Sequence, residues 1–226
     1  MELRYNFHFE TVWRELDRLL LASLTTIELS VVSFFFGTIL SILFALCLRT
    51  NKNIFNLIIF LYIEIIRNTP FLAQIFLLYF GFASIGIRFD ANFAAALSLS
   101  IYFAGYGTEI IRAGIDSIDK HQFEAGLSLG MTKYSIFFKI LLFQGIRNIY
   151  PALSSQFILL LLTTSIASVI SVEELTGEAN LFQSETFRSF EIYFVVAGFY
   201  LILSSFFKII FKLFWYYYFT KQGKII

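Results

Sequence analysis

The chain has 226 residues, of which 58% are hydrophobic, 19% aromatic and 15% charged, with a formal net charge of +1. Roughly a quarter of the residues in a soluble domain are charged, so this composition excludes an ordinary soluble domain. The near-zero net charge gives no reason to expect a nucleic-acid partner. The one cysteine, Cys47, lies in an apolar run and excludes a disulfide framework within the chain.

Five apolar stretches follow one another along the chain, each long enough for a bilayer core of about 20 residues. We expect transmembrane helices at about 19–48, 54–82, 91–112, 148–172 and 191–214, within a single transmembrane domain at 1–226. The longest polar break is the loop at 115–140, and an acidic loop containing Glu173, Glu174, Glu178, Glu185 and Glu191 precedes the fifth span. The predicted fold class is an all-α polytopic helical bundle.

Basic residues predict the orientation of this bundle. Of the 17 Lys and Arg residues, eleven fall on one side of the five-span arrangement, five on the other, and Arg67 within the second span. Basic residues are in excess on the cytoplasmic side of membrane proteins. We therefore expect the N-terminus outside and the C-terminus in the cytoplasm, which places the loop at 115–140 in the cytoplasm. No signal-peptide pattern opens the sequence, so the apolar runs themselves target it to the membrane.

A short helix is predicted inside the loop at 115–140. Asp119 can cap its start, with Gln122 three residues on. Gly130 can end it in the left-handed conformation, and Thr132 can cap the next helix. A short amphipathic helix between two tight breaks offers a surface for another protein, although the residue pattern alone favours an ordinary cytoplasmic loop helix.

Ionisable residues and a proline interrupt the apolar stretches. Glu64 and Arg67 are three residues apart and can pair on one helix face, as can Glu109 and Arg112. Pro70 predicts a kink, where Thr69 can hydrogen-bond a freed carbonyl. Charged groups in a bilayer are costly and usually paired. These residues therefore form either a gate along a polar pathway or structural ion pairs.

Hydroxyl groups interrupt the fourth span, which is otherwise free of charge. They belong to Thr163, Thr164, Ser165 and Ser168. Such groups can bind an amino-acid head group where a helix unwinds, or they can be small residues that let helices pack closely.

The sequence offers no catalytic, cofactor-binding or metal-binding set. Gly223-Lys224 is followed by Ile225, so the chain lacks a phosphate-binding loop for ATP hydrolysis. His8 and His121 are isolated from one another and from other metal-ligating residues. We expect a protein that is not an enzyme and that binds no cofactor itself.

Four segments carry a resemblance to a known family. Glu124-Ala125-Gly126 followed by Gly130 resembles the Glu-Ala-Ala loop of permease subunits of ATP-binding-cassette (ABC) importers, with Gly126 replacing the second Ala and Phe143 a Pro. Three further segments are similar, in order and spacing, to polar amino-acid permeases of the histidine/glutamine type. They are Arg67-Asn68-Thr69-Pro70-Phe71-Leu72-Ala73-Gln74, Gly105-Tyr106-Gly107-Thr108-Glu109-Ile110-Ile111-Arg112 and Gln144-Gly145-Ile146-Arg147-Asn148-Ile149-Tyr150-Pro151-Ala152-Leu153.

The resemblance implies the MetI-like architecture of type I importers, in a bacterial inner membrane. It implies that the loop holds a cytoplasmic coupling helix that docks on a separate ATPase through Gln122, Glu124, Ala125, Gly126 and Gly130. Expected partners are an ATPase dimer carrying ATP-Mg²⁺, a second permease subunit of the same or another kind, an external solute-binding protein and membrane lipid.

The expected cargo is a polar amino acid, with glutamine the first choice. The family has a lysine and an acid or amide before its Thr-Ser pair, where this chain has Leu162 and Thr163, so any substrate contact of those residues cannot be transferred. The alternative is a secondary transporter or channel driven by an ion gradient. A membrane enzyme would need convergent His, Cys or carboxylate side chains, which the sequence lacks.

Overall fold

The computed structural model describes residues 6–50 and 53–221, which form helices and turns and contain no strand. Nine helices are numbered here in chain order. They are α1 (Glu10–Arg14), α2 (Leu16–Cys47), α3 (Asn53–Asn68), α4 (Phe71–Ser84), α5 (Ala91–Asp116), α6 (Lys120–Ser128), α7 (Lys133–Ile170), α8 (Leu175–Thr186) and α9 (Ser189–Thr220). The predicted all-α fold class is confirmed.

Four of these helices, α2, α5, α7 and α9, are long and apolar enough to cross a membrane. The pair α3 and α4 adds a fifth span if it counts as one broken helix, since the two are bent by 114° at the break. Helix ends do not locate the bilayer, so the predicted span boundaries stay predictions. One difference is clear: α7 begins at Lys133, so a single helix leads from the polar loop into the region of the fourth predicted span.

The expected acidic loop before the last span is wrong in its middle, because α8 occupies it. The helix buries Leu175, Ala179 and Phe182 against the bundle. Buried apolar residues four and three positions apart lie on one helix face, a pattern that the surrounding acidic residues obscured in the sequence.

The bundle is organised around the pair α2 and α5, which pack along most of their length. The buried face of α2 is a stripe of small residues, Ser30, Ser33, Gly37 and Ser41. The Ser33 hydroxyl lies 3.2 Å from the Ala96 carbonyl oxygen across the interface and donates to it. Small residues let two backbones approach closely, as is common between transmembrane helices.

Two hydrophobic clusters fill the bundle, and α7 contributes to both. One holds Phe157 and Leu161 of α7 against α8 and α9, and the other holds Leu160 and Ala167 against α4 and α5. The helix α7 therefore joins the two halves of the core.

The ends of the bundle carry different elements. At one end, named here the α6 end, α2 and α5 finish with an Arg49–Asp116 ion pair of 2.5 Å. The base of α7 packs there on the end of α9 through Phe143 and Phe219, whose ring centroids are 5.4 Å apart. The opposite end, the α8 end, holds α8 and the turn between α4 and α5.

Candidate functional site

The helix α6 is built as a capped unit. The Asp119 carboxylate accepts a hydrogen bond of 2.9 Å from the backbone N–H of His121, and Thr132 caps the start of α7 in the same way by accepting from Ser135 at 3.2 Å. Gly130 has a φ of +76°, a backbone conformation that is unfavourable for residues with a Cβ atom. The predicted caps and the left-handed turn are thus present. The reciprocal half of a capping box is missing, since the buried side-chain oxygen of Gln122 has no partner in the described part of the chain.

Gly126 marks the contact between α6 and the start of α7. A Cβ atom at this position would lie 2.7 Å from Cγ1 and 2.8 Å from Cδ1 of Ile136, distances that real Cβ atoms do not tolerate. Ile136 itself is fully buried. The glycine that replaces the family's alanine therefore makes room for this isoleucine.

The outer face of α6 and its flanks is open. The Glu124 side chain is 71% exposed and lies 3.4 Å from the His121 ring. Ala125 is also exposed, and beyond it Leu129 and Tyr134 are 81% and 72% exposed. An exposed carboxylate beside exposed apolar side chains, on a helix held by caps at both ends, can seat a partner protein.

The break between α3 and α4 is stabilised by side chains. Pro70 has no N–H for the Ile66 carbonyl, and the Gln74 side-chain amide donates to that oxygen instead at 2.9 Å. The Thr69 hydroxyl donates to the Ile65 carbonyl at 2.7 Å, as the sequence predicted. The predicted kink at Pro70 is a sharp break, where the carbonyls of Ile65 and Ile66 both accept hydrogen bonds from side chains.

The charged residues near the break pair differently from the prediction. The predicted Glu64–Arg67 pair is wrong, because the Glu64 carboxylate accepts from the side chain of Asn68 at 3.0 Å and Arg67 turns toward α5. There Arg67 lies 3.7 Å from Glu109, which also forms the predicted pair with Arg112 at 2.9 Å.

Two aromatic rings to which the sequence analysis gave no role lie at the same place. The Arg67 guanidinium stands over the Tyr106 ring at 5.8 Å, within the range of a cation–π contact. Tyr106 in turn packs on Tyr102 with 4.9 Å between ring centroids. Both tyrosines fall on the α5 face that carries Glu109, so helical spacing was the signal that could have found them.

The hydroxyl groups of the fourth span form hydrogen bonds within their own helix. Those of Thr163, Thr164, Ser165 and Ser168 each donate to a backbone carbonyl three or four residues earlier, at 2.7–2.8 Å. Thr164 has no exposed surface. The last seven residues of α7, Thr164–Ile170, tighten into a 3₁₀ helix, and Ser171 ends it with a φ of 65°. The structure thus places these groups at an irregular helix end, with Thr163, Ser165 and Ser168 only partly buried.

A polar network at the α8 end was not foreseen. Glu174 is fully buried and accepts from the Tyr200 hydroxyl at 2.8 Å and from the Gly177 N–H at 2.8 Å. Burial raises the pKa of the Glu174 carboxyl. Gly177 is only three residues away, but Tyr200 lies on a distant segment, so sequence spacing gave no signal for the contact between Glu174 and Tyr200.

A surface network lies beside it. Arg18 donates to Glu178 at 2.6 Å and to Glu185 at 2.7 Å. The hydrogen bond from Arg18 lowers the pKa of the Glu185 carboxyl. These contacts tie α8 to the start of α2.

Comparisons with known proteins fit this architecture. A solved structure described as an amino acid ABC transporter with histidines superposes with a TM-score of 0.86 at 33% identity, covering 93% of this chain and 98% of that one. A structure of the MetNI methionine ABC transporter in an inward-facing conformation gives a TM-score of 0.71 at 17% identity, over 89% of this chain and 96% of that one. The second likeness shows the MetI-like fold alone.

Relatives in sequence are amino-acid permeases by name. The putative glutamine transport system permease protein GlnP of Rickettsia felis is 36% identical over 183 residues, 80% of this chain and 84% of the relative. The L-cystine transport system permease protein TcyB of Bacillus subtilis is 34% identical over 174 residues, 77% and 74% of the two chains.

A family model confirms the resemblance that the sequence motifs carried. The model of the binding-protein-dependent transport system inner membrane component matches residues 37–214. That range includes α6, the α3–α4 break and the hydroxyls of α7. The chain therefore belongs to the family of inner membrane components of binding-protein-dependent transport systems.

Proposed function

We propose that the chain is the permease subunit of an ATP-driven importer for polar amino acids, with glutamine the first candidate. Its membership of the family, the likeness to an amino acid ABC transporter and the names of its relatives support the class of cargo. Two such subunits would enclose the pathway, above a pair of ATPase subunits and below an external solute-binding protein.

The observation that carries the proposal is the form of α6. A helix of nine residues is capped by Asp119, ends in the turn at Gly130 and leaves Glu124 exposed at one end of the bundle. A short helix makes a small interface, so a few residues should dominate its binding energy. We assign to Gln122, Glu124, Ala125, Gly126 and Gly130 the docking of the ATPase.

The orientation belongs to the proposal as well. The excess of basic residues favours a cytoplasmic α6 end, where ATP is present. The N-terminus is then outside and the C-terminus inside. Alternating access would follow if the movement of the ATPase subunits pulls α6 and, through the Gly126–Ile136 contact, the base of α7.

For the pathway we propose two groups of residues. The partly exposed hydroxyls Thr163, Ser165 and Ser168 would face the cargo, and the charges at the α3–α4 break, Arg67 and Glu109, would form a gate. Pro70 and Arg112 position that gate, while Glu64 lies beside it without pairing to Arg67. The buried hydroxyl of Thr164 would reach cargo only if the 3₁₀ end of α7 moved.

Leucine substitutions test the hydroxyls. Ser165→Leu and Ser168→Leu should lower uptake while the protein still assembles, because each replaces a small polar group with a bulky apolar one. Ser184→Leu, an exposed serine of α8, is the matched control. Uptake by both variants equal to that of the control would assign the hydroxyls to packing.

The test of the function itself is reconstituted transport. The chain is reconstituted in proteoliposomes together with the ATPase. ATP is enclosed in the vesicle lumen, and the glutamine-loaded binding protein is added outside. Radiolabelled glutamine should accumulate only with ATP, and unlabelled polar amino acids should compete. Uptake by the isolated chain under a sodium or proton gradient, without ATPase, would instead identify a secondary transporter.

A further inference from the structure

A groove between α7 and α9 lies outside every site described above. It has a volume of about 570 Å³ and is lined mostly by apolar and aromatic side chains, together with the polar residues Ser154, Ser155, Lys208 and Lys212. The volume falls in the range of about 300–1,000 Å³ that is typical of small-molecule sites. Both walls belong to helices that are long and apolar enough to cross a membrane, so the groove lies between two candidate membrane spans.

The walls of the groove are fixed. The Tyr150 hydroxyl of α7 donates to the Phe211 carbonyl oxygen of α9 at 2.9 Å. The Tyr150 ring also packs on Trp215, with 5.7 Å between centroids. A helix carbonyl that accepts a second hydrogen bond from a neighbouring helix holds the two helices in register. These two contacts hold the α7 wall and the α9 wall of the groove together.

The charge of the groove has one sign. None of its lining residues is acidic, and neither Lys208 nor Lys212 forms an ion pair with any residue of 6–50 or 53–221. The two lysines are four residues apart, so they lie on one face of α9. Their flexible aliphatic chains can pack along the apolar wall of the groove while the ammonium groups reach the membrane surface.

The position of the groove along the bundle matters as well. The groove lies toward the α6 end, where Trp215 and Tyr150 form part of an aromatic cluster with Phe214 and Phe219. Tryptophan and tyrosine prefer the level of the lipid head groups. Two unpaired lysines within about two helical turns of Trp215, beside an apolar cleft, match an anionic head group with its acyl chain.

We propose that this groove binds one anionic phospholipid. Its phosphate lies between Lys208 and Lys212, and one acyl chain runs along the cleft past Ser155 and Leu159. Basic pockets between membrane helices are a known class of binding site for acidic lipid head groups. The proposal is independent of the ATPase and of the cargo.

The experiment measures retained lipid. The full chain is reconstituted in nanodiscs of phosphatidylglycerol and phosphatidylcholine in equal amounts, extracted, and analysed by native mass spectrometry. The parent should retain phosphatidylglycerol in preference to phosphatidylcholine. The double variant Lys208→Gln, Lys212→Gln should retain phosphatidylglycerol more weakly, by about fivefold for each lysine removed. This factor corresponds to the attraction of one basic residue to an anionic membrane surface. Lys139→Gln removes an exposed lysine at the same end, outside the groove, and should change nothing.

A second pair of variants tests the cleft without altering charge. Ser155→Phe fills the groove and should reduce retention, while Ala152→Phe, an exposed position one turn away that does not line the groove, should not. Retention that is equal in the lysine variant and the parent, or that does not prefer phosphatidylglycerol, would overturn the proposal. So would self-crosslinking of a cysteine placed at Ser154 in a Cys47→Ala background, since a second copy would then cover the groove.

Discussion

Gly126 is the residue at which this chain departs most informatively from the pattern that it resembles. A methyl group there would overlap Ile136, which is buried at the base of α7. The glycine at 126 therefore leaves room for Ile136, ten residues further along the chain. Substitutions at the two positions should be energetically coupled.

A double-mutant cycle tests this coupling. Gly126→Ala alone should destabilise the α6–α7 contact, because the new Cβ forces Ile136 to move. Ile136→Ala alone should cost about 2–5 kcal/mol as a buried large-to-small change. The double variant should be more stable than the sum of the two changes implies, by about 0.5–3 kcal/mol. Thermal unfolding in detergent gives the comparison, and strict additivity would mean that the two residues do not share the space.

Glu174 predicts a pH dependence at the α8 end. Its folded-state pKa is raised by burial, so the folded protein favours the protonated carboxyl. The stability that it contributes is complete below about pH 4.3, where the carboxyl is also protonated in the unfolded chain, and is lost as pH rises through the folded-state pKa. Glu174→Gln keeps the shape and cannot ionise.

The measurement compares apparent melting temperatures of the parent and Glu174→Gln at pH 4.5 and pH 7.5. The parent should lose stability relative to the variant at the higher pH. Ionisation of the other acidic groups is common to both proteins and cancels in the difference. A difference that is the same at both pH values would show that Glu174 ionises without cost.

Local chemistry at single residues was predictable, and tertiary chemistry was not. The cap at Asp119 and the positive φ of Gly130 depend on a few adjacent residues, and both are present. The Glu64–Arg67 pair failed because spacing permits a pair without excluding a better partner on another helix. Glu174 and Tyr200 are 26 residues apart, so no local pattern brings them together.

At the scale of elements, the break between α3 and α4 is the most specific feature. The carbonyls of Ile65 and Ile66 at this break accept hydrogen bonds from the side chains of Thr69 and Gln74. The break was predictable as a kink from Pro70, but its sharpness was not, because the angle depends on α5 filling the space beside it. The small-residue stripe on α2, which the sequence analysis did not single out, explains the close packing against α5.

Gln74→Met tests how the break is held. The methionine has a similar volume but donates no hydrogen bond, so it leaves the Ile66 carbonyl unpaired. An unsatisfied buried acceptor costs about 1–3 kcal/mol, which should lower the melting temperature. The matched control is Gln144→Met, because the Gln144 side chain makes no hydrogen bond among the described residues. Equal melting temperatures for the two variants would show that the amide is dispensable.

At the scale of the whole molecule, the two ends of the bundle are proposed to face opposite compartments. Single cysteines at Lys133, at the α6 end, and at Ser184, at the α8 end, both exposed, report this in a Cys47→Ala background. An impermeant thiol reagent added to intact cells should label the position at Ser184 and spare the position at Lys133 until the membrane is opened. Labelling of both positions in intact cells would contradict the five-span arrangement.

The most direct test of the account is the coupling of α6 to ATP hydrolysis. Gly130→Val should mis-aim α6, because a branched side chain resists the left-handed conformation at a cost of about 1–2 kcal/mol, and Glu124→Lys should reverse an exposed charge on the docking face. The measurement is ATPase activity of the reconstituted complex with and without loaded binding protein, beside capture of the ATPase subunit. The parent should be stimulated by the binding protein, and both variants should insert normally, still accept the binding protein and lose that stimulation. Stimulation of both variants to the level of the parent, with the ATPase still bound, would contradict the assignment of α6 as the coupling helix.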